Sequence, residues 1–408
     1  MAAGGDGDGA GLAELGRRLR GEGGEALPER YRALYGLRAR AGDARAAREL
    51  LAALADARHG ALLRHEVAFA LGQMQAVSAV EALVGVVRDQ GDHEMVRHEA
   101  AEALGAIGEA VALPVLKEFQ GDPNRAVSET CLLALQRMEY FGAAAAAGRP
   151  EEPNESPYAS VDPTPARPVS TSTAALRREL LDEEAPIFDR YRAMFGLRNQ
   201  GGGEALAALA AAFGSGSALL KHELAYVLGQ MQDEGAVPAL AEVLGDGRQD
   251  EMTRHEAAEA LGAIARPACV SLLEKHCDDS SRVVAESCIV ALDILRSEAA
   301  GEFQYADELP TAAAAATEGT PVGEWQATGV SIDTRTLKPG DLFVAIQGVA
   351  SDGHAHVAQA FEKGASGAVL RRDFKDVPAS TPGLRVDDTT QALNDLGRVA
   401  RDRSKAKI

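Results

Sequence analysis

Residues 97–107 read RHEAAEALGAI, and the same eleven letters return unchanged at 254–264, 157 positions further on. RHEVAFALGQMQ from Arg64 returns as KHELAYVLGQMQ from Lys221, and CLLAL from Cys131 as CIVAL from Cys288, both at the same offset. RYRALYGLR from Arg30 returns as RYRAMFGLR from Arg190, 160 residues later, so a three-residue length change lies in between. Several in-register matches at one offset mean an internal duplication, and a repeat of this kind governs every later reading of the chain.

Each half repeats again within itself. His65 and His98 are 33 residues apart, as are His222 and His255. The apolar residues Val67, Ala70, Leu71 and Met74 follow the i, i+3, i+4, i+7 stripe of a buried helix face. Paired helices with a period of 33 read as an α-solenoid of the HEAT type, whose units bury their apolar faces only against neighbours. Four units per half follow, with second helices beginning near Arg30, Arg64, Arg97 and Val127, then near Arg190, Lys221, Arg254 and Val284. The expected fold is all-α: eight HEAT-like helical hairpins in two duplicated halves, with a small C-terminal α/β module.

Composition sets the divisions. Residues 1–28 open on MAAGGDGDGAG and are expected to be a disordered tail, with no apolar stretch for a secretory signal. The halves are expected at 29–141 and 174–297. The Pro-, Ser- and Ala-rich residues 142–173 between them read as a flexible linker, and 298–323 as a second one. From 324 to 408 the texture changes to β-type runs (GVSID, LFVAIQG, GAVL) around one short helix.

The 408 residues carry 61 acidic and 42 basic side chains, a net charge of −19, which argues against a nucleic-acid partner and suits a basic one. Aromatics at 4% with abundant Ala favour closely packed helices over a β-sandwich. No apolar run is long enough for a membrane span. Four cysteines without a paired spacing point to a reducing, cytoplasmic setting.

Four histidines sit in His-Glu doublets at one repeat position: His65-Glu66, His98-Glu99, His222-Glu223 and His255-Glu256. The outer units carry Tyr31-Arg32, Glu129-Thr130, Tyr191-Arg192 and Glu286-Ser287 there, so the doublets are confined to the two central units of each half. A helix-start preference for Glu would scatter doublets over all eight units. Imidazole with carboxylate is a ligand set for iron, manganese or zinc. Adjacent helical residues diverge by about 100°, so one doublet cannot aim both groups at one ion, but stacked helices about 10 Å apart let neighbouring doublets converge. Two imidazoles and a carboxylate per metal, with open positions, is the set used by non-haem Fe(II) oxygenases. His93-Glu94 is matched by Asp250-Glu251 in the second half and is expected to be a solvated loop pair. His59, His276, His354 and His356 are expected at the surface or in local hydrogen bonds.

With these motifs, residues 29–296 resemble the deoxyhypusine hydroxylases, HEAT-repeat di-iron monooxygenases that hydroxylate the deoxyhypusine side chain of translation initiation factor 5A to hypusine. The resemblance implies an oxidoreductase with two Fe(II) ions per chain and O2 as co-substrate; the sequence names no electron donor. It implies that His65, His98 and Glu99 hold one iron and His222, His255 and Glu256 the other. Glu66 and Glu223 would be further metal ligands or carboxylates receiving the substrate amines. The competing reading is a non-catalytic HEAT-repeat interaction scaffold.

Residues 327–407, with GVSIDTRTLKPGDLFVAIQGVASDGHAHVAQAFEKGASGAVL at 329–370, resemble the N-terminal domain of the Mur ligases. There Ser331, Asp333, Thr334 and Arg335 match the motif beside the uridine nucleotide. No GxxxxGK[ST] loop occurs in the chain, so this module is expected to be a truncated piece without ATP-dependent ligation.

Overall fold

The computed structural model describes residues 6–146, 156–300 and most of 319–396. The chain divides into two compact units, with the break between Leu295 and Arg296.

The first unit is all-helical. Sixteen α-helices form eight hairpins: α1 (Asp6–Arg20) with α2 (Leu27–Arg38), α3 (Ala44–Leu54) with α4 (Ala61–Gln73), α5 (Val80–Arg88) with α6 (Glu94–Ile107), and α7 (Leu113–Phe119) with α8 (Arg125–Ala146). The second half repeats this as α9 (Thr173–Leu181) with α10 (Ile187–Gln200), α11 (Gly202–Ala211) with α12 (Ala218–Met231), α13 (Val237–Gly245) with α14 (Glu251–Ile264), and α15 (Pro267–Glu274) with α16 (Arg282–Ala300). The second helix of each hairpin is the inner one. Residues 62–68 of α4 are all buried, Arg64, His65 and Glu66 included. A helix buried on every side can carry such residues only if each finds a partner.

Two features determine how the inner helices sit. The arginine before each doublet position reaches back to the last turn of its own outer helix, where the carbonyls have no helical donor. Arg64 Nε donates to Leu54 O, Arg97 to Val87 O, Arg190 to Leu180 O and Arg254 to Leu244 O, at 2.8–3.2 Å. Three of these arginines also pair with a carboxylate of the next loop: Asp92, Asp122 and Asp279. Where Lys221 replaces the arginine, Gln249 replaces the acid, and Lys221 Nζ donates to it at 2.6 Å. Glycine provides the close approach. A Cβ at Gly72 would lie 2.8 Å from Ala103 Cα, one at Gly105 2.7 Å from Ala134 Cβ, and one at Gly262 2.7 Å from Ala291 Cβ. Successive inner helices therefore touch at nearly backbone distance.

The halves face each other around one continuous core. Arg32 of the first hairpin pairs with Asp293 of the last. Ser217 Oγ donates to Glu129 at 2.6 Å, and Arg125 Nη1 to Gly216 O at 3.1 Å.

Two expectations need correction. The tail expected over 1–28 contains α1, which buries Leu12 and Leu19 against α2 and α3; its glycines masked a helix stripe that the second copy shows more plainly as α9. The linker expected over 142–173 is structured over its second part. Residues 156–172 lie as a strap against both halves, while 147–155 fall outside the described residues. Gln73 exchanges two hydrogen bonds with the Val161 backbone, and Arg137 Nε donates to Asp162 O. From the second half, Arg198 grips the Asp162 carboxylate with both Nη atoms at 2.9 and 2.6 Å, and Gln230 donates to Ser160 Oγ. Proline at 163, 165 and 168 rules out a helix here, and side chains of the helices satisfy the extended backbone instead.

The second unit holds a five-stranded sheet in the order β1-β5-β4-β3-β2, parallel except for its edge strand β1. The strands are β1 (Thr320–Val322), β2 (Gly329–Ser331), β3 (Asp341–Val344), β4 (Gly367–Arg371) and β5 (Gly383–Val386); helix α17 (Val357–Glu362) lies between β3 and β4, and residues 389–393 are helical after β5. Alternation divides β3 between two layers, Leu342 and Val344 packing with Trp325 on one face, Phe343 with Val357 and Leu370 on the other. The linker expected over 298–323 begins inside α16 and ends in β1, and 301–318 lie outside the described residues.

Candidate metal centre

The four doublets lie on α4, α6, α12 and α14, one or more residues inside each helix. The N-cap positions are Gly60, His93, Ser217 and Asp250, so the doublets cap nothing. All eight residues are buried, none more than 6% exposed. Duplication gives the two halves the same inner helices, and their face-to-face packing brings the four imidazoles together. The ring centroids of His65 lie 5.3 Å from His98, 5.7 Å from His222 and 5.2 Å from His255. Those of His222 lie 5.5 Å from His98 and 5.2 Å from His255.

The donor atoms converge in two overlapping groups. His65, His98 and Glu99 can offer ligand atoms all within 4.8 Å of one another, and so can His65, His222 and His255. His65 Nε2 lies 3.3 Å from Glu99 Oε2, and the duplicate contact, His222 Nε2 to Glu256 Oε2, is 3.4 Å. Each such pair joins doublets of neighbouring hairpins. Glu66 behaves differently: its Oε1 meets Nδ1 of its own His65 at 3.0 Å, on the ring edge away from Glu99. Both ring nitrogens of His98, His222 and His255 are buried without a hydrogen-bond partner. Three buried rings with both nitrogens orphaned are costly unless a cation takes the one lone pair that each neutral ring offers. The residues present therefore fit a metal held by nitrogen and carboxylate oxygen.

The charges around the cluster agree. Burial opposes a charge on His65, but the hydrogen bonds to Glu66 and Glu99 outweigh it and raise its pKa well above the usual histidine value. Burial, then the neighbouring imidazoles, drive His98 and His255 well below it, so their lone pairs are free. Burial raises the carboxyl of Glu223 well above the usual range, with Asp162, Glu99 and Glu256 adding to it. Glu102 and Glu259 are raised likewise, by burial first and then by Glu99 and Glu223, or by Glu66 and Glu256. Crowded carboxylates of this kind favour any cation that enters among them.

Glu102 and Glu259 were not singled out from the sequence, yet the signal is present: α6 and α14 read HEAAE, where α4 and α12 read HEVAF and HELAY. His93 departs from the solvated loop residue expected. It caps α6, accepting from the Met95 amide, and its Nε2 lies 3.3 Å from Glu251 Oε1 of the other half. His59 contacts Arg30, His276 contacts Asp279, and buried His354 bridges Asp352 and the Arg371 amide, while His356 is exposed. In the second unit Ser331 and Thr334 are described, with Thr334 Oγ1 donating to Gln359; Asp333 and Arg335 lie outside the described residues.

Comparison with known proteins adds to this geometry. Residues 47–136 and 205–293 match the HEAT repeat family, and 326–401 match the model described as Mur ligase family, catalytic domain. Human deoxyhypusine hydroxylase is 50% identical over 285 residues, covering 70% of this chain and 91% of the relative. The enzyme of the same name from Drosophila melanogaster is 45% identical over 283 residues, covering 69% and 91%. The solved structure of human deoxyhypusine hydroxylase in complex with glycerol superposes with a TM-score of 0.66 at 47% identity, covering 71% of this chain and 96% of that one.

Proposed function

The chain belongs to the deoxyhypusine hydroxylase family, and from that membership we propose that it hydroxylates the deoxyhypusine side chain of translation initiation factor 5A to hypusine, using two Fe(II) ions and O2. His65, His98 and Glu99, whose ligand atoms lie within 4.8 Å of one another, would hold one iron, and His222, His255 and Glu256, with His222 Nε2 3.4 Å from Glu256 Oε2, would hold the other. The observation that carries this reading is the set of buried, orphaned ring nitrogens among carboxylates at the meeting of the two halves. Bound iron supplies the activation of O2 that inserts one oxygen atom into a C–H bond of the substrate.

The protein's own part is binding and orientation. Glu66 fixes the ring of His65 by holding Nδ1, which leaves Nε2 toward Glu99. Glu223, buried and crowded by Asp162, Glu99 and Glu256, is assigned to the substrate amine. The surrounding helices bury the centre and keep bulk water from it. A scaffold reading finds no support in doublets that are buried and cap no helix. No described helix is long and apolar enough to cross a membrane, and the four cysteines are free thiols.

The test is metal analysis with single-turnover assay of the purified full chain. About two irons per chain and oxygen-dependent hydroxylation of the deoxyhypusine form of the factor are expected. His98→Ala should lose one iron and most activity, because an open-sited metal loses a nitrogen ligand. A chain that takes up no iron on reconstitution, or hydroxylates equally well as H98A, would overturn the proposal.

A further inference from the structure

Glu259 lies one helical turn beyond His255 in α14, and Glu102 one turn beyond His98 in α6, so each carboxylate shares a helix face with its histidine. Glu259 Oε1 lies 3.5 Å from His255 Nδ1, just outside hydrogen-bond length, and the same oxygen accepts from Ser287 Oγ at 3.1 Å. In α4 and α12 the corresponding positions are Phe69 and Tyr226. There the first histidine meets its carboxylate by another route, His65 Nδ1 to Glu66 at 3.0 Å.

An imidazole that gives one lone pair to a metal carries its proton on the other nitrogen, and a buried proton needs an acceptor. Resting on the metal reading above, we propose that Glu259 and its duplicate Glu102 are positioning residues. With metal bound, Glu259 accepts a hydrogen bond from His255 Nδ1–H, 3.5 Å away, and so commits that ring's Nε2 to iron; Glu102 stands at the same helical position after His98 and is assigned the same role there by the duplication. The two are not equally fixed. Ser287 anchors Glu259, whereas Thr130, at the matching position, turns its hydroxyl to Ala126 O at 2.8 Å.

The test uses the full chain and chelator competition for Fe(II), with the thermal midpoint of iron-stripped protein as the second readout. Glu259→Leu should weaken one of two iron sites about 10–100-fold, the usual cost of losing such a partner, without lowering the stripped midpoint. E259Q, whose amide oxygen still accepts the Nδ1 proton, should recover most of that affinity. Glu102→Leu should act the same way on the other site, and S287A should have a smaller effect in the same sense as E259L. Unchanged affinity in both E259L and E102L, or a lower stripped midpoint at unchanged affinity, would overturn the inference by leaving these residues a packing role. His255→Ala separates the two levels: if it loses iron while E259L does not, only this inference fails. If H255A keeps both irons, the metal reading fails and takes this inference with it.

Discussion

At the N-terminus of α6, His93 takes part in two interactions that join local to long-range structure: a 3.3 Å cap on the Met95 amide and a 3.3 Å contact with Glu251 across the halves. The bond to Glu251 raises the His93 pKa; burial opposes it, and Glu94 and Asp92 support it. Protonation gives up the long cap bond and gains the ion pair. A histidine whose folded pKa is raised contributes stability that is full below its unfolded value, about 6.5, and fades as pH rises through the folded value. His93→Ala should thus lower the thermal midpoint by roughly 2 °C at pH 6, and the difference from wild type should shrink toward pH 8–9. A difference that stays flat across this range would mean the charge plays no part. The duplicate residue is Asp250, and that comparison alone reads His93 as a solvated loop residue. A cross-half partner such as Glu251 leaves no local mark in the sequence.

Among the elements, the spacing of inner helices decides whether the donor atoms converge. Gly72 and Gly85 look alike in sequence, each inside a helix of the first half, but a Cβ at Gly72 meets Ala103 while one at Gly85 meets nothing within 4 Å. Gly85→Ala should stabilise by roughly 0.5–1 kcal/mol through helix propensity alone. Gly72→Ala must push α4 from α6 at a cost of about 1–3 kcal/mol, moving His65 from His98 and lowering iron affinity as well. Denaturant unfolding and iron titration of both variants check this; equal effects would refute the close-approach role. The arginines are a similar case. RHE is visible as a motif, but the structure separates it into an arginine that ties hairpins together and a doublet that faces the centre. The tie could not be read because its acceptors lie 10 residues back and 25–28 residues ahead.

On the scale of the whole molecule, the strap and the terminal contacts hold two duplicated halves in one orientation. Arg198 is fully buried and its charge depends on Asp162, so Asp162→Ala should cost about 3–5 kcal/mol, the usual penalty of an abandoned buried charge. The loss should appear as a lower thermal midpoint and faster proteolysis at the strap; a change under 1 kcal/mol would mean that the strap is not what holds the halves. Among the described residues, the converging donors all belong to the first unit. Removing residues 305–408 should therefore leave iron content and hydroxylation unchanged, measured against the full chain. A truncated chain that kept iron but lost turnover would make that unit part of the enzyme.

The sequence alone determined the duplication, the eight hairpins, the confinement of His-Glu doublets to the central units and the change to an α/β module. These are one-dimensional properties: identity at a fixed offset, a helical period, alternation along strands. The tertiary structure alone decided that residues 12–19 close the first hairpin, that a proline-rich segment is a strap, and that Glu66 serves its own histidine. It alone brought Glu102 and Glu259 into the centre. Each of these rests on a polar or apolar group satisfied by a partner distant in sequence. Composition registers a Gly- or Pro-rich stretch as loose because it counts only local preferences, whereas the fold satisfies that backbone with side chains from helices of both halves.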